Sequence, residues 1–211
     1  MVTHEINLKR LDGLSDGIFA IVMTLLVFEM KVPELVMDNN YHELWINLKN
    51  MFPSFASYVL SFGVLFTYWR AHHFFASIYA KNVDMMLSNI NAVFFLLVAL
   101  VPFSSSLLGK YSENELAIGI FGLHTILIGL TLYWMRRYVL YSPHIKNPEI
   151  STREIYGSTI RTLAPVVFAL IAIPLSFVDT KFALFLFTLA VVFNFSSTST
   201  KIFLNIFHKD V

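Results

Sequence analysis

Six stretches of this chain each stay apolar over about the 20 residues that a helix needs to cross a bilayer core roughly 30 Å thick. They cover residues 14–32, 52–68, 83 or 85 to 108, 116–135, 160–178 and 182–203. Burying them all inside a soluble globule is excluded by composition: of 211 residues, 56% are apolar and 14% charged, with 21 Phe and a mean hydropathy of +0.65. Soluble domains carry about 45–50% apolar and about 25% charged residues, so the surplus has to face lipid. The chain therefore reads as an all-α integral membrane protein, a single transmembrane domain over residues 1–211 with six crossings. A soluble enzyme, a nucleic-acid-binding module and a disordered scaffold are excluded. The net charge of +1 marks no electrostatic partner, and zero Cys removes disulfides, thiolate metal sites and cysteine nucleophiles.

Basic residues are retained on the cytoplasmic side of a membrane. Lys9, Arg10, Arg70, Lys81, Arg136, Arg137, Lys146, Arg153, Arg161, Lys201 and Lys209 fall on one side of the predicted crossings. The other side holds Lys31, Lys49, Lys110 and Lys181, mixed with Glu34, Asp38, Glu43, Glu113, Glu115 and Asp179. That asymmetry puts both termini in the cytoplasm, in keeping with an even number of crossings. The first apolar stretch follows Glu5 and Asp12 and precedes no small-residue cleavage site, so it is expected to stay on the protein. Asn40 with Glu43 reads as a capping box for an interfacial helix bearing Leu44, Leu48 and Met51 on one face. Asn147-Pro148-Glu149 predicts the start of a short helix in the cytoplasmic connection. Pro102 and Pro174 near helix ends, and Pro165 inside the fifth span, are candidate kinks.

An ionisable residue inside a membrane is costly and becomes a functional candidate by default, which singles out the first span with Asp16 and Glu29. The same span carries Gly13, Ser15, Gly17, Ala20 and Thr24, residues small enough for close helix approach. It is either a tightly packed central helix or the lining of a pathway. Arg10 is either a positive-inside anchor or the ion-pair partner of Asp16, reached by its long side chain or from a neighbouring subunit. Glu29, near the outer end, is either part of that pathway or a group that reaches the lipid headgroups. Ile21, Leu25 and Phe28 share one helical face with Thr24 beside them. That stripe is either packing or, on the axis of an oligomer, a stack of apolar rings that stops ions by dewetting. His72, His73, Ser88, Asn89 and Asn91 are expected at the depth of Ser15 and Asp16, solvated separately or joined in a network across three helices. His124, mid-span, lacks an intramembrane His partner at helical spacing, and His144 is cytoplasmic, which argues against haem or metal. There is no phosphate loop, nucleophile elbow or His-Glu-x-x-His.

The run Arg10-Leu11-Asp12-Gly13-Leu14-Ser15-Asp16-Gly17-Ile18-Phe19-Ala20-Ile21 resembles the Arg-x-x-x-Phe-Ser-Asp signature that opens the first helix of the endolysosomal potassium-channel family, transmembrane protein 175. Leu14 stands where the family has Phe. Residues 25–33, Tyr68-Trp69-Arg70-Ala71-His72-His73 and Pro102-Phe103-Ser104 extend the likeness over the first half of the chain, and the single-repeat, six-helix bacterial branch matches best. The resemblance implies a homotetramer in a bacterial cell membrane, its first helices surrounding a central pore for monovalent cations. It implies some preference for potassium over sodium without a Thr-Val-Gly-Tyr-Gly filter, no catalytic residue, and no cofactor beyond the permeant potassium ions. By position after the motif Asp, it implies that Ile21 forms the hydrophobic constriction, with Leu25 and Phe28 as apolar layers beyond it and Thr24 at the selectivity hydroxyl. Arg10, Ser15 and Asp16 would form a motif network with His72 and Asn91. The competing reading is a proton- or cation-coupled secondary transporter using Asp16 as carrier carboxylate, although neither discontinuous helices nor inverted repeats are evident.

Overall fold

The structure, a computed structural model, describes residues 8–36 and 40–196. Apart from an isolated bridge between Ala80 and Lys146, its regular structure is helical. The helices are α1 (Leu8–Leu25), α2 (Tyr41–Asn50), α3 (Phe52–Phe74), α4 (Met85–Ala99), α5 (Val101–Lys110), α6 (Glu115–Tyr141), α7 (Thr152–Ser176) and α8 (Thr180–Phe195). A 3-10 turn, Leu26–Glu29, prolongs α1, and a π-helical turn, Phe75–Tyr79, ends α3.

Among the described residues, four stretches are long and apolar enough to cross a membrane: Leu8–Glu29, Met85–Lys110, Glu115–Tyr141 and Thr152–Ser176. A fifth arises when α2 and α3 are taken together across a 43° bend. The apolar α8 has 16 residues, and the expected last crossing, 182–203, runs beyond the described residues.

Side-chain chemistry, more than hydropathy, decides where these helices begin. Asn114 accepts from the Leu116 amide at the start of α6, and Asp179 from the Lys181 amide at the start of α8. Asn40 caps α2 by accepting from the Glu43 amide at 3.1 Å. The reciprocal half of the expected capping box is missing, because the Glu43 carboxylate accepts instead from the Val36 amide at 2.8 Å. Pro102 occupies the first turn of α5, where its missing N–H costs nothing, and the third span breaks at Leu100 just before it.

The helix expected from Asn147-Pro148-Glu149 does not form. Asn147 is used for tertiary contacts: its backbone N–H donates to the Tyr79 carbonyl at 2.8 Å and its side-chain amide to the Ile78 carbonyl at 3.0 Å. Its side-chain oxygen accepts from the Glu149 amide, closing an Asx turn. The start signal lies instead at Ser151 and Glu154, a complete capping box that opens α7 before the apolar run at 160. Those added turns are held by Arg136 of α6. Buried, it donates to the Thr162 hydroxyl and the Ile155 carbonyl, each at 3.2 Å, and to the Thr159 hydroxyl, and its guanidinium lies 5.2 Å from the Tyr79 ring centroid.

The centre of the described fold is α6, against which α4, α5 and α7 pack. Gly129 permits the closest approach: a Cβ there would strike Val166 and come within 2.8 Å of the Tyr68 hydroxyl. That hydroxyl donates to the Thr125 carbonyl. The first helix lies at the periphery against α3 and α4, which corrects its reading as the central helix. The α3–α4 and α6–α7 connections meet at one end, where the Lys81 N–H donates to the Ile145 carbonyl at 2.7 Å. Asp84, which caps α4 there, accepts from the Tyr138 hydroxyl at 2.5 Å and lies 3.4 Å from His144 Nε2. Burial pushes its carboxyl up, but hydrogen bonds from Tyr138, the Leu87 amide and His144 outweigh this and hold it below its ordinary pKa.

Candidate functional site

The two faces of α1 differ in kind. Leu11, Ser15, Phe19 and Val22 recur at helical spacing and are buried against the rest of the subunit. The opposite face presents Ile21, Leu25 and Phe28, exposed by 60%, 44% and 75%. Thr24 is exposed beside them, and its hydroxyl donates to the Ala20 and Ile21 carbonyls at 3.0 and 2.8 Å. With its proton committed to the backbone, the oxygen keeps lone pairs for another partner. Around Gly13 and Gly17 an added Cβ would meet nothing within 4 Å. Met23 points the other way and packs on the core.

The buried face is fastened by a chain of hydrogen bonds through α1, α3 and α4. His72 is fully buried, with Nε2 3.0 Å from Asn91 Oδ1 and Nδ1 3.0 Å from the Ser15 hydroxyl. In a singly protonated ring, Nε2–H donates to Asn91 and Nδ1 accepts from Ser15, so both nitrogens are satisfied where lipid supplies no partner. The imidazole stacks on Phe94 at 5.1 Å with planes 10° apart, which fixes its orientation. Of the polar residues expected near this depth on α4, Asn91 enters the chain and Asn89 is exposed.

A second, more open cluster sits beside it. Asp16 accepts from the Trp69 indole N–H at 2.8 Å, Trp69 stacks on His73 at 5.9 Å, and His73 Nδ1 lies 3.5 Å from Asp12 Oδ1. Arg10 is exposed and forms no ion pair with Asp16 in the same chain, where Asp16 is engaged by Trp69. A helical separation of nearly two turns keeps the guanidinium away, whereas Trp69 faces Asp16 directly across the α1–α3 contact. Sequence reasoning had one usable signal for this pair, the indole N–H, a donor that seeks a partner when it is partly buried. Asp12, Asp16 and His73 bring potential ligand atoms within 4.8 Å of one another; Trp69 engages Asp16, whereas Asp12 Oδ1 is buried without a hydrogen-bond partner.

His124 is also engaged structurally. Its Nδ1 lies 2.8 Å from the Ser104 hydroxyl and its Nε2 2.8 Å from the Leu97 carbonyl, bracing the α4–α5 break. Glu29 closes the 3-10 turn at the far end of α1, exposed.

The family described as "Endosomal/lysosomal potassium channel TMEM175" matches residues 10–102. A potassium channel of Streptomyces collinus is 30% identical over 156 residues, covering 72% of this chain and 74% of that protein. An endosomal/lysosomal proton channel TMEM175 of Rattus norvegicus is 26% identical over 181 residues, 86% of this chain but 35% of its own length. Among solved structures, that of a lysosomal potassium-selective channel TMEM175 homolog from Chamaesiphon minutus superposes with a TM-score of 0.76 at 24% identity, covering 89% of this chain and 95% of that one. At that identity the likeness concerns the fold.

Proposed function

This chain belongs to the TMEM175 family, and on that premise we propose that it is a potassium-permeable channel of a bacterial cell membrane, without enzymatic activity. It is a homotetramer of single six-crossing domains with both termini cytoplasmic, the four α1 helices lining a central pore. It needs no cofactor beyond the permeant monovalent cations.

The observation that carries this reading is the exposed face of α1. Its span is 28% buried within one subunit, against 56% for the α6 span. Lipid could cover Ile21 and Phe28 at no cost, but it gains nothing from the open glycines at 13 and 17, which suit a neighbouring helix. Around a shared axis, Ile21 forms a ring that offers no replacement for an ion's hydration shell, with Leu25 and Phe28 as further apolar layers. Conduction requires that ring to widen or to wet. Thr24, its proton already donated, offers oxygen lone pairs to a passing cation and contributes selectivity. Asp16 supplies negative charge at the motif end. The Ser15–His72–Asn91 chain positions α1 without touching the ion.

Single-channel recording from purified protein in liposomes tests the reading. Unitary potassium currents are expected, with Ile21→Asn raising basal flux and Thr24→Ala lowering potassium-over-sodium discrimination. Met23→Leu, on the core side and nearly volume-conserving, should leave both unchanged. Saturable, proton-coupled uptake without unitary currents, abolished by Asp16→Asn, would establish the carrier instead.

A further inference from the structure

Two adjoining recesses lie at the far end of α1, away from the polar network. One is a groove of about 600 Å³ between α2 and the start of α3, lined by Met30, Trp45, Leu48, Met51, Phe52 and Phe55. Lys49 also borders it, its Nζ 5.0 Å from the Trp45 ring centroid. The other is a cleft of about 380 Å³ whose lining includes Glu29, Lys31, Tyr58, Ser105, Ser106 and Lys110. Met30 and Met51 line both, so an apolar groove runs directly into a charged, hydroxyl-rich cleft.

We propose that the two recesses together hold one membrane phospholipid, an acyl chain in the groove and the headgroup in the cleft. Lys31 and Lys110 take the phosphate, and Glu29 takes the ammonium of an ethanolamine headgroup.

Three features select this occupant. First, α2 has the character of an interfacial helix: no residue of it is buried, and it carries Trp45 and Lys49 on a short amphipathic segment. Trp favours the headgroup level of a bilayer, which sets the groove where acyl chains begin. Second, the 43° bend between α2 and α3 leaves an apolar groove with none of the described residues between its walls. Third, the cleft's charges are complementary to a zwitterion, two ammonium groups with one carboxylate, flanked by hydroxyls that donate to phosphate oxygens. A second copy of this chain would have to bring an acidic group against Lys31 and Lys110 while also filling an apolar slot.

Native mass spectrometry of the purified full chain, titrated with phosphatidylethanolamine and with phosphatidylglycerol, tests this independently of ion flux. One lipid per subunit should be retained, with phosphatidylethanolamine preferred. Lys31→Ala with Lys110→Ala, both exposed positions, should weaken both lipids by roughly ten-fold or more. Glu29→Gln should remove the preference for phosphatidylethanolamine, and Leu48→Asn should weaken both lipids alike. Lys181→Ala, at another groove of the same face, should change nothing. Retention that ignores the Lys31, Lys110 and Leu48 substitutions overturns the proposal. So does a Leu48→Cys protein that cross-links between subunits and retains no lipid, since the groove would then be filled by a second copy.

Discussion

Helices α1 and α6 have nearly the same mean hydropathy, yet the span of α1 is half as buried as that of α6. Hydropathy reports the cost of leaving water and is the same for both. Burial reports which neighbours a helix has, and there they part. α6 packs against α4, α5 and α7 and admits Gly129 where α7 and Tyr68 press against it, its exposed row being Leu123, Leu127, Leu130 and Trp134. α1 is fastened along one face and left open along the other, the open face combining apolar bulk with Gly17 and Thr24. A helix retained by its own subunit on one side is available to a second subunit, or to an ion path, on the other.

The strongest way to break this contrast is at the fastening. His72→Ala would orphan the buried Ser15 and Asn91 and leave a cavity beneath Phe94, at a cost of about 3–5 kcal/mol. Thermal melting of the purified protein should fall steeply. Asp16→Asn, on the exposed rim and still able to accept from Trp69, should move stability by no more than about 0.5 kcal/mol. Equal losses from both would mean that the open face is as structural as the buried one.

The glycines sharpen the contrast next. Gly129→Ala should destabilise the subunit by about 1–3 kcal/mol through overpacking against Val166 and Tyr68. Gly17→Ala meets open space within the chain and should leave its stability unchanged or slightly raised, while lowering the cross-linking yield of the proposed tetramer. Loss of folding rather than of assembly from Gly17→Ala would remove the open face from any interface.

A loss smaller than those at His72 and Gly129 is expected outside both helices' cores, at Asp84. Its removal by Asp84→Ala loses the cap of α4 and should cost about 1 kcal/mol at neutral pH. Folding holds this carboxyl below its ordinary pKa, so its stabilisation is complete above the unfolded value of about 4 and disappears as pH falls through the folded one. Melting curves of the wild type and Asp84→Ala should therefore converge on acidification. A gap that persists or widens would assign the stabilisation to something other than the ionised side chain.

Much of this was legible in the chain itself, and the misses have physical causes. The apolar runs, the cap at Asn40, the helix break near Pro102 and the first-half motif are local patterns, readable because each depends on residues within a few turns. The start of α7 escaped because Asn147 spends its hydrogen bonds on Tyr79 and Ile78, more than sixty residues earlier in the chain. The partner of Asp16 escaped because the nearest cation in sequence, Arg10, is not the nearest donor in space.

That the protein is helical and membrane-embedded, and that Asp16 and Glu29 fall in its first apolar stretch, could be read from the chain, because transfer free energies add residue by residue without regard to neighbours. Tertiary structure alone decided that α6 is the centre and α1 the edge, that His72 joins Ser15 to Asn91, and that Ile21, Thr24 and Phe28 are left facing outward. Those outcomes depend on which helices meet and at what rotation, a property of long-range packing that no local pattern encodes.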